Sequence, residues 1–201
     1  MKIKILSDST CDLSAQQLAE HQIDLARLSV IKDGEAFIDG ETIQPADIFA
    51  HVAAGGDLCS TNAYNIDGYE QLFAKYASEY DGVIHISLGS GFSCSYQNAM
   101  IAAADFPNVR VIDSMNLSTG QGLVVLKACE LATTASSVEE ITKNLNEFTA
   151  KVEASFLLDQ LGYMVKGGRC SAVAALGANL LGLKPCIEVK NGKMGVVKKY
   201  R

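Results

Sequence analysis

Nowhere does this 201-residue sequence approach the roughly eighteen consecutive apolar residues of a membrane-crossing helix. Its start, Met1-Lys2-Ile3-Lys4-Ile5-Leu6, breaks to Ser7-Asp8-Ser9 before a signal-peptide core could form. The expectation is a soluble, cytoplasmic protein without stable membrane insertion. Six cysteines are present, but no C-x-x-C pair and no histidine at ligand spacing accompanies them, so reduced thiols are expected rather than a zinc site or a disulfide scaffold. Basic residues are in the minority: 17 Lys+Arg stand against 23 Asp+Glu, a formal net charge of −6. That balance offers no broad electrostatic footprint for nucleic acid. Also missing are the G-x-x-x-x-G-K-[ST] phosphate loop and the G-x-G-x-x-G dinucleotide fingerprint, since Gly120-Gln121-Gly122 runs on into Leu123-Val124-Val125. Gly89-Ser90-Gly91 does not have the form of a G-x-S-x-G nucleophile elbow. No internal repeat, low-complexity tract or flexible linker interrupts the chain.

What is present is a composition 48% apolar and 20% charged, that of a folded globular protein. Lys2 to Leu6 reads as a short buried strand closed by a polar loop, and Ser14 with Gln17 forms a capping box for a helix. Leu25 to Ile31 reads as one strand, and Asp33-Gly34 turns it into a second around Ala36-Phe37-Ile38. Pro45 suits the first position of a helix, and Asn65 can cap another that carries Tyr69, Leu72, Phe73 and Tyr76. Val83-Ile84-His85-Ile86, a Gly/Ser loop, a helix over 93–104 and Val109-Arg110-Val111-Ile112 make a βαβ unit, which demands parallel strands with helices on both faces. Further helices are expected over 117–133 and 138–152. After residue 153 come a strand at 156–158, a short helix into Lys166, a small-residue helix over 171–181 and a hairpin turned at Asn191-Gly192. The predicted fold is α/β: a parallel-sheet domain over 1–153 with helices on both faces, then the beginning of a second α/β domain over 154–201.

Three segments share a polar character: Ser60-Thr61-Asn62-Ala63, Gly89 to Ser95, and Gly167-Gly168-Arg169. Loops at the carboxyl ends of parallel strands converge on a ligand crevice. Hydroxyls, helix-start N–H groups and a guanidinium suit a small anion, carboxylate or phosphate. Each has a plainer reading: Ser93 as a helix cap, Arg169 as a surface turn, His85 as a core histidine satisfied by a neighbour. A serine hydrolase using Ser93 or Ser90 with His85 is the competing chemistry, and it requires His85 to stand at the crevice.

Taken in order, five blocks resemble the DegV family of bacterial fatty-acid-binding proteins. They are Ser7-Asp8-Ser9-Thr10-Cys11-Asp12-Leu13, the stretch Ile86 to Ala99, Val111-Ile112-Asp113-Ser114 with Gly120 and Gly122, the stretch Leu161 to Ser171, and Leu181-Gly182-Leu183-Lys184-Pro185. The resemblance implies a two-domain protein that needs no cofactor and holds one long-chain fatty acid, its acyl chain buried between the domains. It also implies a role as the binding subunit of a fatty acid kinase, presenting the carboxylate to a separate ATP-binding subunit for acyl-phosphate formation in phospholipid synthesis. Thr61 and Ser93 match the family's head-group threonine and serine, and Arg169 the arginine behind them. Asn62 and Cys94 complete the expected ligand-binding set. Asn62 replaces the family's usual serine, Cys94 a glycine and Ser95 a threonine, and a cysteine at 94 would be strained wherever the loop needed positive φ. The resemblance further implies that the second domain continues past residue 201, where a family histidine near the head group would lie.

Overall fold

The computed structural model describes residues 1–159, 161–169 and 184–200. They form two compact units, one of residues 1–27 and 63–152, the other of residues 28–62 and 153–201. The change at 152/153 lies one residue from the boundary read in the sequence, whereas residues 28–62, expected within the first domain, group with the later segment.

The first unit is built on strands β1 (Ile3–Asp8), β2 (Asp24–Ala26), β6 (Gly82–Ser87) and β7 (Val109–Asp113), in the spatial order β2-β1-β6-β7. All neighbours are parallel, with Leu6 beside His85 and His85 beside Val111. Every residue of β6 is buried, as its continuous apolar run requires of a central strand covered on both faces. One face carries Ile5, Ile84, Ile86 and Ile112 against helices α5 (Ser118–Thr134) and α6 (Val138–Thr149), with Leu18 of α1 (Ala15–Glu20) alongside. The opposite face carries Leu6, Val83 and Val109 against Tyr69, Phe73 and Tyr76 of α3 (Ile66–Ala77) and Ala99 and Ala102 of α4 (Ser95–Ala103). The expected α/β arrangement with helices on both faces is therefore present. The chain leaves β1 toward β2 on one side and β6 toward β7 on the other, so β1 and β6 flank a topological switch point, where open α/β sheets place their ligand crevices.

Helix starts follow local chemistry. Ser14 and Gln17 form the expected capping box, Asn65 accepts from the Gly68 N–H at 2.8 Å, and Ser137 accepts from the Glu140 N–H at 3.1 Å. At α5 a glycine is compulsory for a different reason. A Cβ on Gly122 would stand 2.6 Å from the Cys11 carbonyl oxygen, a backbone atom in the 3-10 turn Ser9–Cys11 that follows β1. We expect Gly122→Ala to destabilise the protein by about 1–3 kcal/mol in chemical denaturation, against the roughly 1 kcal/mol that alanine's helix propensity would return. A variant as stable as the parent would show that the turn yields at no cost.

The second unit holds two antiparallel sheets, β4-β3-β5 and β10-β9-β8. Strand β3 (Ser29–Lys32) pairs with β4 (Glu35–Ile38) through a turn with positive φ at both Asp33 and Gly34, the hairpin geometry their sequence anticipated. Strand β5 (Ser60–Asn62) pairs with the other edge of β3, and helix α2 (Pro45–Ala53) begins with proline at its first turn. Strands β9 (Lys184–Lys190) and β10 (Lys193–Tyr200) turn at Asn191-Gly192, again with both φ positive, and β8 (Ala154–Leu157) lies along β9. Ile187 is fully buried there, packed by Phe156, Leu158, Leu161, Met164, Met194 and Val196.

One sequence reading is corrected. Leu25 to Ile31 is two strands in different sheets, because the run carries its apolar residues through Arg27-Leu28 without a turn residue to mark the break. Cys170 and the helix expected over 171–181 lie outside the described residues. Among the described residues no helix is long and apolar enough to cross a membrane. The described cysteines are free, and burial pushes the Cys11 and Cys129 thiols up, to about 11 for Cys129.

Candidate ligand-binding site

The loop after β6 carries the densest group of expected site residues, and backbone bonds shape it. The Gly89 N–H donates to the Asn116 carbonyl at 2.8 Å, the Phe92 N–H to the Gly89 carbonyl at 2.9 Å, and the Ser90 N–H to Asp113 Oδ1 at 3.1 Å. Asp113, at the end of β7, also accepts from the Met115 N–H at 2.8 Å, so one carboxylate steadies the loops after two neighbouring strands. A Cβ on Gly89 would stand 2.9 Å from both the Asn116 nitrogen and the Phe92 ring, which is why this loop needs a glycine there.

Ser93 is half-buried at the end of this loop. Its Oγ lies 2.9 Å from Ser95 Oγ and accepts from the Ser95 N–H at 3.2 Å. Cys94, exposed, is the residue that caps α4, with φ −79°; the strain expected of a cysteine in place of glycine does not arise. Ser93 therefore supports the helix start from one residue further out than its reading as the cap supposed. Thr61 and Asn62 are exposed on β5, paired with Val30 and Ser29. Arg169 is exposed just past α7 (Gly162–Lys166): its N–H donates to the Met164 carbonyl at 3.1 Å and its Nη1 to the Gly167 carbonyl. Gly168 before it has φ +71°, so the pair of glycines makes the turn. Ser93 and Cys94 belong to the first unit; Thr61, Asn62 and Arg169 belong to the second.

Behind Ser93 lies a group of buried polar residues of which sequence reasoning singled out only His85, as a core histidine satisfied by a neighbour. Asp8, fully buried at the end of β1, accepts four hydrogen bonds: from the Tyr69 phenol at 2.5 Å and His85 Nε2 at 3.1 Å on Oδ1, and from Ser87 Oγ at 3.0 Å and the Leu88 N–H at 2.7 Å on Oδ2. Burial alone would raise this carboxyl, but the electrostatic attraction of His85, together with the hydrogen bonds from His85, Tyr69 and Leu88, outweighs it and holds the group below its ordinary value. Burial and the adjacent Asp8 push the Tyr69 phenol far up, so it keeps its proton. The one signal in the sequence was an aspartate ending an apolar strand, and its partners lie 61 to 80 residues away.

His85 occupies the core. It is fully buried, edge-on to Tyr69 at 5.2 Å and to Phe73 at 5.7 Å between ring centroids. Its Nε2 lies 3.1 Å from Asp8 Oδ1, and its Nδ1 has no hydrogen-bond partner among the described residues. Neither nitrogen engages Ser90 or Ser93, and Ser90 is exposed. The serine hydrolase alternative is thus unsupported: the strand's apolar pattern drew His85 inward, where an acid–base role toward either serine has no geometry. No group of three or more His, Cys, Asp or Glu side chains among the described residues could hold a metal ion.

Comparison with known proteins extends over the whole chain. It is 35% identical over 202 residues to a DegV domain-containing protein of Clostridium acetobutylicum, and 30% identical over 208 residues to a fatty acid-binding protein of Thermotoga maritima. Both alignments cover all of this chain and 72% of the relative. A solved structure describing fatty acid binding by a DegV family protein from Thermus thermophilus superposes with a TM-score of 0.92 at 28% identity, covering all of this chain and 72% of that one. With residues 2–201 also matching the family model described as "Uncharacterised protein, DegV family", this chain belongs to the DegV family.

Proposed function

We propose that this chain is a non-catalytic carrier that binds a long-chain fatty acid and presents its carboxylate to a separate ATP-binding kinase subunit for acyl-phosphate formation. The observation that carries the reading is membership, over residues 2–201, of a family whose Thermotoga maritima relative, 30% identical, is a fatty acid-binding protein. The carboxylate is assigned to Thr61, Asn62, Ser93, Cys94 and Arg169. A carboxylate accepts several donors at once, and hydroxyls, the N–H groups at the start of α4 and a guanidinium supply them without a basic surface. The acyl chain supplies the larger share of affinity: about fourteen methylenes at roughly 0.8 kcal/mol each give about 11 kcal/mol before the costs of association. Head-group contacts then set position, which is what phosphoryl transfer to the carboxylate depends on.

Native mass spectrometry before and after delipidation tests binding directly. A mass difference matching a long-chain acid, restored by added oleate or palmitate, is expected; no difference together with no uptake would refute the carrier reading. Ser93→Ala is expected to weaken binding by about 1–3 kcal/mol, the scale of losing a donor to a charged acceptor. Acyl-phosphate formation in the presence of the kinase subunit should fall further than binding does. Equal losses in both would remove Ser93 from carboxylate positioning.

A further inference from the structure

The segment that leads to Ser93 is fixed before it reaches that residue. The N–H groups of three consecutive residues each donate to a different part of the fold: Leu88 to Asp8 Oδ2 in β1 at 2.7 Å, Gly89 to the Asn116 carbonyl beyond β7 at 2.8 Å, and Ser90 to Asp113 Oδ1 at the end of β7 at 3.1 Å. The Phe92 N–H then returns to the Gly89 carbonyl at 2.9 Å, which closes a turn over 89–92, and Ser93 is the next residue. The three N–H groups are spent on the protein itself rather than on a ligand.

Asp113 enters this turn by two routes. Directly, its Oδ1 holds the Ser90 N–H. Indirectly, the same oxygen accepts from the Met115 N–H at 2.8 Å. Met115 is a non-glycine residue at φ +53°, a left-handed conformation that persists only where its surroundings impose it. Asn116 follows, and its carbonyl is the acceptor for Gly89. The fit leaves little slack, since a Cβ on Gly89 would stand 2.9 Å from the Asn116 nitrogen. Val111 to Ser114 form part of one of the five sequence blocks, yet none of these residues belongs to the assigned carboxylate set.

We propose that Asp113 is a positioning residue: by accepting from the Ser90 and Met115 N–H groups it sets the 89–92 turn, and through it the place at which Ser93 meets a fatty-acid carboxylate. This rests on the reading that Ser93 meets the carboxylate. Asp113, the turn and Ser93 all lie in the first unit. The consequence falls on the head group alone. A displaced turn costs affinity for an ionised carboxylate, whose hydrogen bonds are the stronger and more geometry-dependent kind. The same acyl chain carrying a neutral hydroxyl loses little, because the chain supplies most of its affinity. A purely structural role would weaken both ligands alike.

The test is the ratio of oleate to oleyl alcohol affinity at neutral pH for the parent, Asp113→Ala, Asp113→Asn, Ser93→Ala and the Asp113→Ala, Ser93→Ala double variant. Asp113→Ala is expected to bind oleate about threefold to tenfold more weakly, the scale of one net hydrogen bond, with oleyl alcohol affinity unchanged within about twofold. Asp113→Asn keeps an oxygen that can accept from both N–H groups and should stay near the parent ratio. In the Ser93→Ala background the oleate loss should disappear. An equal loss for both ligands, no loss for oleate, an asparagine variant as weak as the alanine one, or the same oleate loss with the Ser93 hydroxyl removed overturns the proposal and leaves the carrier reading standing. Should Asp113→Ala fail to fold, Asp113→Glu, which moves the carboxylate outward by one methylene, must lower the ratio in its place, and a parent-like ratio overturns the proposal. If the parent takes up no oleate, the carrier reading falls, and the role of Asp113 in it falls too.

Discussion

Replacing Asp8 with alanine is expected to lower the unfolding free energy by about 3–5 kcal/mol, the scale of removing one side of a buried charged network. The carboxylate is enclosed at the carboxyl end of β1, and its two oxygens are the acceptors for Tyr69, His85, Ser87 and the Leu88 backbone. Truncation leaves those donors facing a cavity, and an unmade buried hydrogen bond costs more than a made one contributes. The loss should also reach the loop after β6, because Leu88 is the residue from which that loop departs. A pH dependence accompanies it. The folded-state value of Asp8 is depressed below the unfolded 3.8, so its contribution is fully present above that unfolded value and is lost as pH falls through the lower folded one. Urea denaturation of the parent between pH 7 and pH 3 should show this decline, and Asp8→Asn should flatten it. A loss under about 1 kcal/mol for Asp8→Ala, below the range for a single unsatisfied buried group, would mean that water or a neighbour replaces the carboxylate.

Phe73→Ala should be nearly as damaging, at about 3–5 kcal/mol for a buried aromatic replaced by a methyl. Phe73 is fully buried on α3, stacked on Tyr69 at 5.7 Å and edge-on to His85 and Phe106 at 5.7 and 6.3 Å. Those rings interlock, so the cavity cannot close by moving any one of them without disturbing the others. Two of the neighbours donate to Asp8, and loosening them should weaken the same buried network from the apolar side. Phe73→Leu, which keeps much of the volume, is expected to lose less than half as much. Equilibrium denaturation of both variants checks the ratio, and an equal loss would point to the aromatic contacts rather than the filled space.

Much of the architecture was legible because it depends on neighbours within a turn or a pleat. The unbroken apolar run of β6 required burial on both faces, and the βαβ spacing required β6 and β7 to be parallel. Ser14 with Gln17, Asp33-Gly34 and Asn191-Gly192 each specify a cap or turn through their own backbone chemistry, and each stands where the residues said it would. Membership of the DegV family was readable too, since five ordered blocks of residues carry it without any coordinates. The break between β2 and β3 was not readable, and with it the departure of residues 28–62 from the first unit, because strand-forming residues continue across Arg27-Leu28 and no local rule says which sheet a strand joins. Nor could any periodicity show that Asp8, Tyr69 and His85 converge. Parallel register between β1 and β6 sets Leu6 beside His85 and so places both Asp8 and His85 on the face that α3 covers. A carboxylate buried among four donors exists only once strands and a helix dozens of residues apart have packed together, because its desolvation is offset by partners that none of those segments supplies alone.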